Sequence, residues 1–199
     1  MLRAFPYWIL RGMSPTTPAD ARSVDDLLSL SADAPAAEYL FFRGHRKSPT
    51  GVSASCLSQW WEAPFTVDGK TYRTAEHYMM AGKARLFGDA ESERRILAAK
   101  HPADAKALGR GVAGFAQGTW DAARYGIVVE GSVAKFAHHP ELSEFLLGTG
   151  SRVLVEASPG DRVWGIGMAE DDPDVGDPRC WRGLNLLGFA LMAARARLR

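Results

Sequence analysis

Residues 64–86 read PFTVDGKTYRTAEHYMMAGKARL, and this stretch predicts a β-hairpin that leads directly into a helix. The Asp-Gly pair at 68–69 is a strong hairpin signal, because a type I′ turn needs positive φ at both central residues. Thr74 is a good N-cap for the helix, which we expect to continue to about Leu86. Gly88 then provides a stop signal.

Caps and apolar spacing predict further helices on both sides of this stretch. One short helix is predicted after the N-cap Ser23, and the others at 90–100, 103–108, 120–137 and 140–147. Short strands are predicted at 39–42 and 153–156 from their apolar residues. Gly126 should weaken the middle of the longest helix, because glycine is a poor helix former.

The last helix is predicted to begin near Trp181. Its apolar residues recur at helical spacing and should face the core, namely Leu184, Leu187, Leu191, Ala194 and Leu198. Together these elements predict one compact, mainly helical α+β domain over residues 38–199, with a short β-hairpin and a few short strands. Residues 1–37 are rich in Pro, Ala, Asp and Ser and are expected to form a loosely ordered leader with one short helix.

The composition limits the classes of function. The 199 residues include 24 Lys and Arg against 23 Asp and Glu, a formal net charge of +1, which disfavours a general nucleic-acid coat but permits a small anion-binding pocket. Because Cys56 and Cys180 are the only cysteines, a disulfide framework and a four-cysteine zinc site are excluded. No apolar run approaches the length that spans a bilayer, so we expect a cytoplasmic protein that binds no membrane.

Several common catalytic and cofactor signatures are absent from the sequence. It has no glycine-rich phosphate loop, no dinucleotide-binding glycine motif, no nucleophile elbow and no zinc-protease helix. None of the five histidines is paired with a cysteine or a second histidine at the spacing of a zinc helix. We therefore expect neither a metal nor a cofactor.

Glu76, Met80 and Lys83 should share one face of the predicted helix, since residues seven apart are two turns apart on the same side. A surface ion pair, or a partner for the helix dipole, is the simpler interpretation of the two charges. If this face instead lines a pocket, a partly desolvated lysine becomes a nucleophile towards a sugar C1, and the glutamate a general acid or base. Spacing alone leaves both interpretations open.

Tryptophan is abundant, with six residues in the chain, and most tryptophans pack in cores. Indole rings close to arginine and asparagine also stack on heterocyclic bases. Arg110 and Arg182 each lie beside a glycine, which allows close approach of a phosphate. In combination, these features suggest a phosphorylated sugar that carries a heterocycle.

From about Phe41 to Arg195 the chain resembles the NADAR superfamily, and in particular its YbiA-like branch, the N-glycosidases of riboflavin-biosynthesis intermediates. The match is specific because many short stretches occur in the right order over about three quarters of the chain. They are Ser58-Gln59-Trp60, Phe65, Val67 to Lys70, Thr74 to Tyr78, Lys83, Leu108-Gly109-Arg110, Trp120, Lys135-Phe136, Leu154-Val155-Glu156, Val163-Trp164-Gly165 and Gly183 to Gly188.

The resemblance implies a mainly α fold, a pocket for ribose-phosphate or ADP-ribose-like ligands, and cleavage of an N-glycosidic bond without a metal. Glu76 matches the glutamate of the family's Glu-His-Tyr motif, and Lys83 matches the following lysine. In ADP-ribosyl hydrolases of the superfamily such a lysine is thought to form a Schiff base with the ribose. These two residues are the predicted catalytic pair. The predicted substrate-binding residues are Trp60, Tyr78, Arg110, Trp120, Trp164, Arg182 and Asn185.

The expected function is a metal-independent N-glycosidase acting on a phosphoribosyl or ADP-ribosyl compound, with riboflavin-biosynthesis intermediates as the first candidates. One alternative keeps the chemistry but changes the substrate to ADP-ribosyl-guanine in nucleic acid, held by a basic patch at 43–47. Another is a non-catalytic module that binds ADP-ribose or NAD in the same pocket.

Overall fold

Seven α-helices and four short strands make up the part of the chain that this computed structural model describes, residues 15–30, 32–49 and 51–199. The strands are β1 (Tyr39–Phe42), β2 (Phe65–Val67), β3 (Lys70–Tyr72) and β4 (Val153–Glu156). The helices are α1 (Val24–Leu28), α2 (Ala75–Leu86), α3 (Ala90–Ala98), α4 (Pro102–Arg110), α5 (Gln117–His138), α6 (Pro140–Gly148) and α7 (Leu186–Leu198). The predicted mainly helical α+β fold is confirmed.

The hairpin and the helix after it form as the sequence predicts. β2 and β3 pair antiparallel, with Phe65 opposite Tyr72. Asp68 and Gly69 adopt φ values of 50° and 74°, as a type I′ turn requires. The Thr74 side chain accepts a hydrogen bond from the backbone N–H of His77 and so caps α2. The cap fixes where α2 begins, and therefore which of its side chains point in the same direction.

β1 and β4 form a parallel pair, with Tyr39 opposite Val153 and Phe42 opposite Glu156. Parallel strands need a long crossover, and helices α2 to α6 lie within it. The first three residues of β4 are fully buried, as is usual for a strand covered on both faces. Glu156 therefore ends a buried strand, at the point where the chain enters a loop.

The longest helix, α5, packs against both α2 and α7. It begins at Gln117, three residues before the predicted start, and Gly126 does not interrupt it. Gly131 lets α2 approach closely, because a Cβ at that position would lie 2.6 Å from Cδ1 of Tyr78. Helices α2 and α5 thus pack closely against each other.

The predicted start of the last helix near Trp181 is wrong. A 3-10 turn covers Pro178–Cys180, and α7 begins only at Leu186. Between them the chain donates backbone hydrogen bonds to the loop at 162–166, so these N–H groups are not free for a helix. For the same reason Leu184 lies outside the helix and is 48% exposed, contrary to its predicted core position.

The short helix predicted after Ser23 is confirmed as α1, and the Ser23 side chain accepts a hydrogen bond from the Asp26 N–H. Ala21, just before it, is fully buried. The first fourteen residues of the predicted leader lie outside the described residues. Within the described ranges, no helix is both long enough and apolar enough to cross a bilayer.

Candidate active site

A cleft of about 360 Å³ opens between α2, α4, α5 and the loop after β4. Five residues predicted from the sequence line it, namely Glu76, Lys83, Arg110, Trp120 and Trp164. Four charged residues that the sequence did not single out also line it, namely Lys106, Arg124, Asp161 and Arg162. The face of α2 that carries Glu76, Met80 and Lys83 therefore lines a pocket, and the surface ion-pair interpretation does not apply.

Lys83 lines the cleft and is only 9% exposed. Its Nζ donates a hydrogen bond to the carbonyl oxygen of Gly109 at 2.8 Å. The same nitrogen lies 4.2 Å from the ring centre of Phe115 and 5.6 Å from that of Trp120. Burial lowers the pKa of this amine below its usual value, which raises the fraction of free amine at neutral pH.

The contact between Lys83 and Gly109 depends on a close approach of α4 to α2. A Cβ at Gly109 would lie 2.1 Å from Sδ of Met80, a distance that no real side chain adopts. Glycine at this position therefore lets the Gly109 carbonyl reach the lysine amine.

Glu76 is almost completely buried at the other end of the same face. Its backbone N–H donates to the carbonyl of Gln59 at 2.9 Å, and the indole of Trp60 faces its carboxylate and favours the charged form. The Oε1 atom is buried and has no hydrogen-bond partner among the described residues. Burial raises the pKa of Glu76 to about 7, against the opposing effects of Lys106, Trp60 and Arg110. The carboxyl can therefore exchange a proton near neutral pH.

A second buried carboxyl, Glu156, belongs to the same group of charges. Burial raises its pKa to about 7, and the charges of Asp161 and Glu76 add to the effect while Lys106 opposes it. Its Oε2 atom, like one oxygen of Glu76, has no partner within the described part of the chain. Sequence analysis placed Glu156 in a family-like stretch but gave it no role.

The cleft is also rich in positive charge. Lys106 and Arg110 are one turn apart on α4, and Arg162 comes from the loop after β4. In the described ranges, none of these three forms an ion pair, whereas Arg124 pairs with Asp121 at 2.8 Å. Three unpaired cations around one cleft suit an anionic ligand such as a phosphate.

Asp161 organises the loop that carries Trp164 into the cleft. Its carboxylate accepts hydrogen bonds from the backbone N–H groups of Val163 and Trp164, at 2.9 and 2.8 Å. Gly183 packs directly behind this loop, because a Cβ there would lie 2.4 Å from the carbonyl oxygen of Gly165. The indole of Trp164 is therefore presented by a rigid turn.

Four of the predicted substrate-binding residues do not line the cleft. Arg182 is largely exposed and its guanidinium lies 3.8 Å from Asp172. Tyr78 points to the opposite side of α2, where its ring meets Tyr72 edge-on at 4.9 Å. The side chains of Arg182 and Tyr78 therefore make contacts away from the cleft.

Asn185 is completely buried and serves the backbone instead. Its Oδ1 accepts from the N–H of Glu156 at 3.0 Å, and its Nδ2 donates to the carbonyl of Leu154 at 2.9 Å. The amide thus pairs β4 with the start of α7. Trp60 also lies outside the cleft lining, but its indole faces the carboxylate of Glu76.

The residues that sequence reasoning missed come together only through helix packing. Lys106 had a weak signal, its spacing of four from Arg110 on a helix. Phe115 had none, because its contact with Lys83 depends on how the α4–α5 connection folds over α2. Among the described residues, no three His, Cys, Asp or Glu side chains converge as metal ligands would.

Comparison with known proteins agrees with this geometry. The NADAR domain family matches residues 41–199. The chain is 40% identical over 163 residues to N-glycosidase R617 of Acanthamoeba polyphaga mimivirus, covering 79% of this chain and 95% of that protein. It is 33% identical over 135 residues to N-glycosidase YbiA of Escherichia coli, covering 68% and 76%.

The fold is similar to a solved structure as well. The NMR structure of E. coli YbiA superposes with a TM-score of 0.64 at 28% identity, over 83% of this chain and 87% of that one. The family match covers well over half of the chain, and the relatives are covered over most of their length. This chain belongs to the NADAR family.

Proposed function

We propose that this chain is an N-glycosidase that hydrolyses the bond between a heterocyclic base and a phosphorylated ribosyl group. The observation that carries the proposal is the pair formed by Lys83 and Glu76, a desolvated amine and a carboxyl of raised pKa on one face of α2. The relatives R617 and YbiA carry the name N-glycosidase, which supports the same reaction class.

In the proposed reaction, the neutral amine of Lys83 attacks C1 of the ribose, and the bond from C1 to the base nitrogen breaks. The bonding pair stays on that nitrogen, which takes the proton of the Glu76 carboxyl. The attached Nζ then loses a proton to the Glu76 carboxylate, and opening of the ribose ring with protonation of its oxygen gives a Schiff base. Water adds to the Schiff-base carbon, so the sugar leaves as its aldehyde and Lys83 returns as a free amine.

The remaining groups of the cleft have binding roles in this proposal. Lys106, Arg110 and Arg162 hold the phosphate as unpaired cations. Trp120 and Trp164 offer indole faces for the base. The first substrates to test are the early phosphoribosyl intermediates of riboflavin biosynthesis, because the YbiA-like branch that the sequence resembles acts on them.

One observation favours a second substrate class, ADP-ribosyl-guanine in nucleic acid. The loop at 43–47 exposes three cations, and its His45 ring lies 5.5 Å from the ring of Trp60, whose indole faces Glu76. A nucleic-acid backbone held there would make turnover fall steeply with added salt. Turnover that is insensitive to salt would exclude this class.

The deciding experiment combines turnover with covalent trapping. Purified protein is incubated with the two early riboflavin intermediates, ADP-ribosyl-guanine DNA and NAD, with and without borohydride, and followed by mass spectrometry. Release of free base with a reduced sugar adduct on Lys83 is the expected result, and Lys83→Arg should give neither. The exposed Lys70→Arg serves as the matched control.

Two other outcomes would contradict parts of the proposal. Base release without an adduct, when a known Schiff-base enzyme is trapped in parallel, would remove the covalent step. Tight binding of a ligand without any release, unchanged in Lys83→Arg, would indicate a non-catalytic ADP-ribose- or NAD-binding module.

A further inference from the structure

Lys135 is a fully buried lysine for which the proposed reaction has no use. It lies on α5 and is 1% exposed. Its Nζ donates to two backbone carbonyls, those of Cys56 at 2.6 Å and Ser58 at 2.9 Å. No carboxylate in the described part of the chain forms an ion pair with it.

Packing alone does not explain why a lysine is buried here, because burial of its ammonium is unfavourable. Removing an ammonium from water costs several kcal/mol unless its donors are well used. Burial lowers the pKa of Lys135 to about 7, which is the sign of that cost. The facing Cys56 thiol gives little compensation, because burial raises its pKa to about 11 and keeps it neutral. A methionine would fill similar space, so the lysine is explained by its N–H donors.

The two carbonyls belong to a segment that holds Glu76 at two points. Gln59, next to Ser58, accepts the backbone N–H of Glu76 at 2.9 Å. The Trp60 indole faces the Glu76 carboxylate and lowers its pKa. Within the segment, the Ser58 hydroxyl accepts the N–H of Trp60 at 3.1 Å, which fixes the direction of the chain.

We propose that Lys135 is a positioning residue for Glu76, which it serves by anchoring the segment at 56–60, whose Gln59 carbonyl holds the Glu76 backbone N–H and whose Trp60 indole faces the Glu76 carboxylate. The inference rests on the proposed function only in treating Glu76 as the proton-transfer group. Lys135 itself touches neither the cleft nor a substrate in this scheme.

The experiment follows the protonation of Glu76 in Lys135→Met. The Trp60 indole favours the charged carboxylate, so its displacement from Glu76 raises the pKa of Glu76. We expect an upward shift of about one pH unit, the value of one charge-assisted hydrogen bond. The other charges around Glu76, those of Lys106, Asp161, Arg110 and Glu156, remain in place. The readout is the ¹³C carboxyl titration of Glu76, assigned by its loss in Glu76→Gln.

Two further variants separate positioning from simple stabilisation. Trp60→Phe removes the indole N–H and should reproduce the shift, and the double variant should show no additional shift. Arg195→Met removes another fully buried cation, whose partners are Thr149 and Arg152, and should lower stability without moving the titration. If Lys135→Met fails to fold, Lys135→Gln, which keeps one donor group, carries the test.

The inference is overturned if the Glu76 titration is unchanged in a folded Lys135 variant while Trp60→Phe shifts it. It is also overturned if the shifts of the two single variants simply add. The titration needs no substrate, so failure of the proposed glycosidase activity would leave this test intact. With a confirmed substrate, the pH at which kcat falls should move up by about one unit in Lys135→Met, with KM nearly unchanged.

Discussion

Nζ of Lys83 lies 4.2 Å from the ring centre of Phe115, on the side of the cleft where its hydrogen bond to Gly109 is also made. Within the described residues, no carboxylate forms an ion pair with this amine. The ring face and the carbonyl favour the ammonium, whereas burial disfavours it, and the pKa of Lys83 falls below its usual value. An exposed, ion-paired lysine such as Lys70 has no comparable reason to be nucleophilic.

Lys83→Arg is expected to abolish turnover while ligand binding survives. The guanidinium keeps the positive charge but remains protonated, so it cannot attack C1. The measurement is base release at saturating substrate together with calorimetric binding of ribose 5-phosphate. Turnover in Lys83→Arg comparable to that of the wild type would exclude a covalent role for this residue.

Glu76→Gln should lower kcat by about 100- to 10,000-fold, because an amide cannot transfer the proton that the departing base needs. In the wild type, burial raises the pKa of Glu76 to about 7. The protonated form acts first, so kcat should fall as the pH rises through about 7. A pH–rate profile that stays flat between pH 5 and 9 would contradict the assignment of Glu76 as the acid.

The same carboxyl should make stability depend on pH. Its pKa is about 7 in the folded chain and close to the ordinary 4.5 when unfolded, so the folded state binds the proton more tightly. This contribution is complete below about 4.5 and is lost as the pH rises through about 7. In the wild type this effect lowers the free energy of unfolding by on the order of 3 kcal/mol between pH 5 and 9. Glu76→Gln resembles the protonated form at every pH, so this decrease should be absent from the variant.

Urea unfolding at the two pH values measures this effect. The exposed Glu141→Gln is the matched control and should keep the pH dependence of the wild type. An unchanged slope of stability with pH in Glu76→Gln would show that Glu76 is ionised in both states.

Local signals were enough to predict the helix that carries the proposed catalytic pair. The Thr74 cap determines the start of α2, and the 3.6-residue period then places Glu76 and Lys83 on one side. Whether that side meets solvent or a cleft is not a local property. It depends on how closely α4 packs, which Gly109 decides through its contact with Met80.

The misplaced start of α7 has a similar cause. Helical spacing continues back through Leu184, but the backbone there bonds the loop at 162–166 instead. These backbone hydrogen bonds join residues about twenty positions apart, and the apolar periodicity of a single segment cannot predict them. Asn185, expected at the pocket from family resemblance, is likewise used between β4 and α7.

Gly109→Ala is expected to lower both stability and activity. The added Cβ would lie 2.1 Å from Sδ and 3.1 Å from Cβ of Met80, so Met80 and α4 must shift relative to each other, at a cost of about 1–3 kcal/mol. A displacement of α4 also withdraws the carbonyl that holds Lys83. Gly126→Ala, where nothing lies within 4 Å of the added carbon, is the matched control and should stabilise α5 by about 0.5–1 kcal/mol. Thermal unfolding and kcat of both variants measure the contrast, and equal effects would refute the close-packing argument.

Asn185→Ala tests the assignment of this side chain to the fold. Asn185 has a φ of 50°, a left-handed conformation that alanine adopts only with strain. Loss of the Asn185 amide would also leave the Glu156 N–H and the Leu154 carbonyl without their hydrogen bonds, and each buried unpaired group costs about 1–3 kcal/mol. Asn185→Gly relieves the backbone strain but not the lost bonds, so its stability should lie between that of Asn185→Ala and the wild type. If both variants unfold at the urea concentration of the wild type but bind ribose 5-phosphate more weakly, Asn185 contacts the ligand and its structural assignment is wrong.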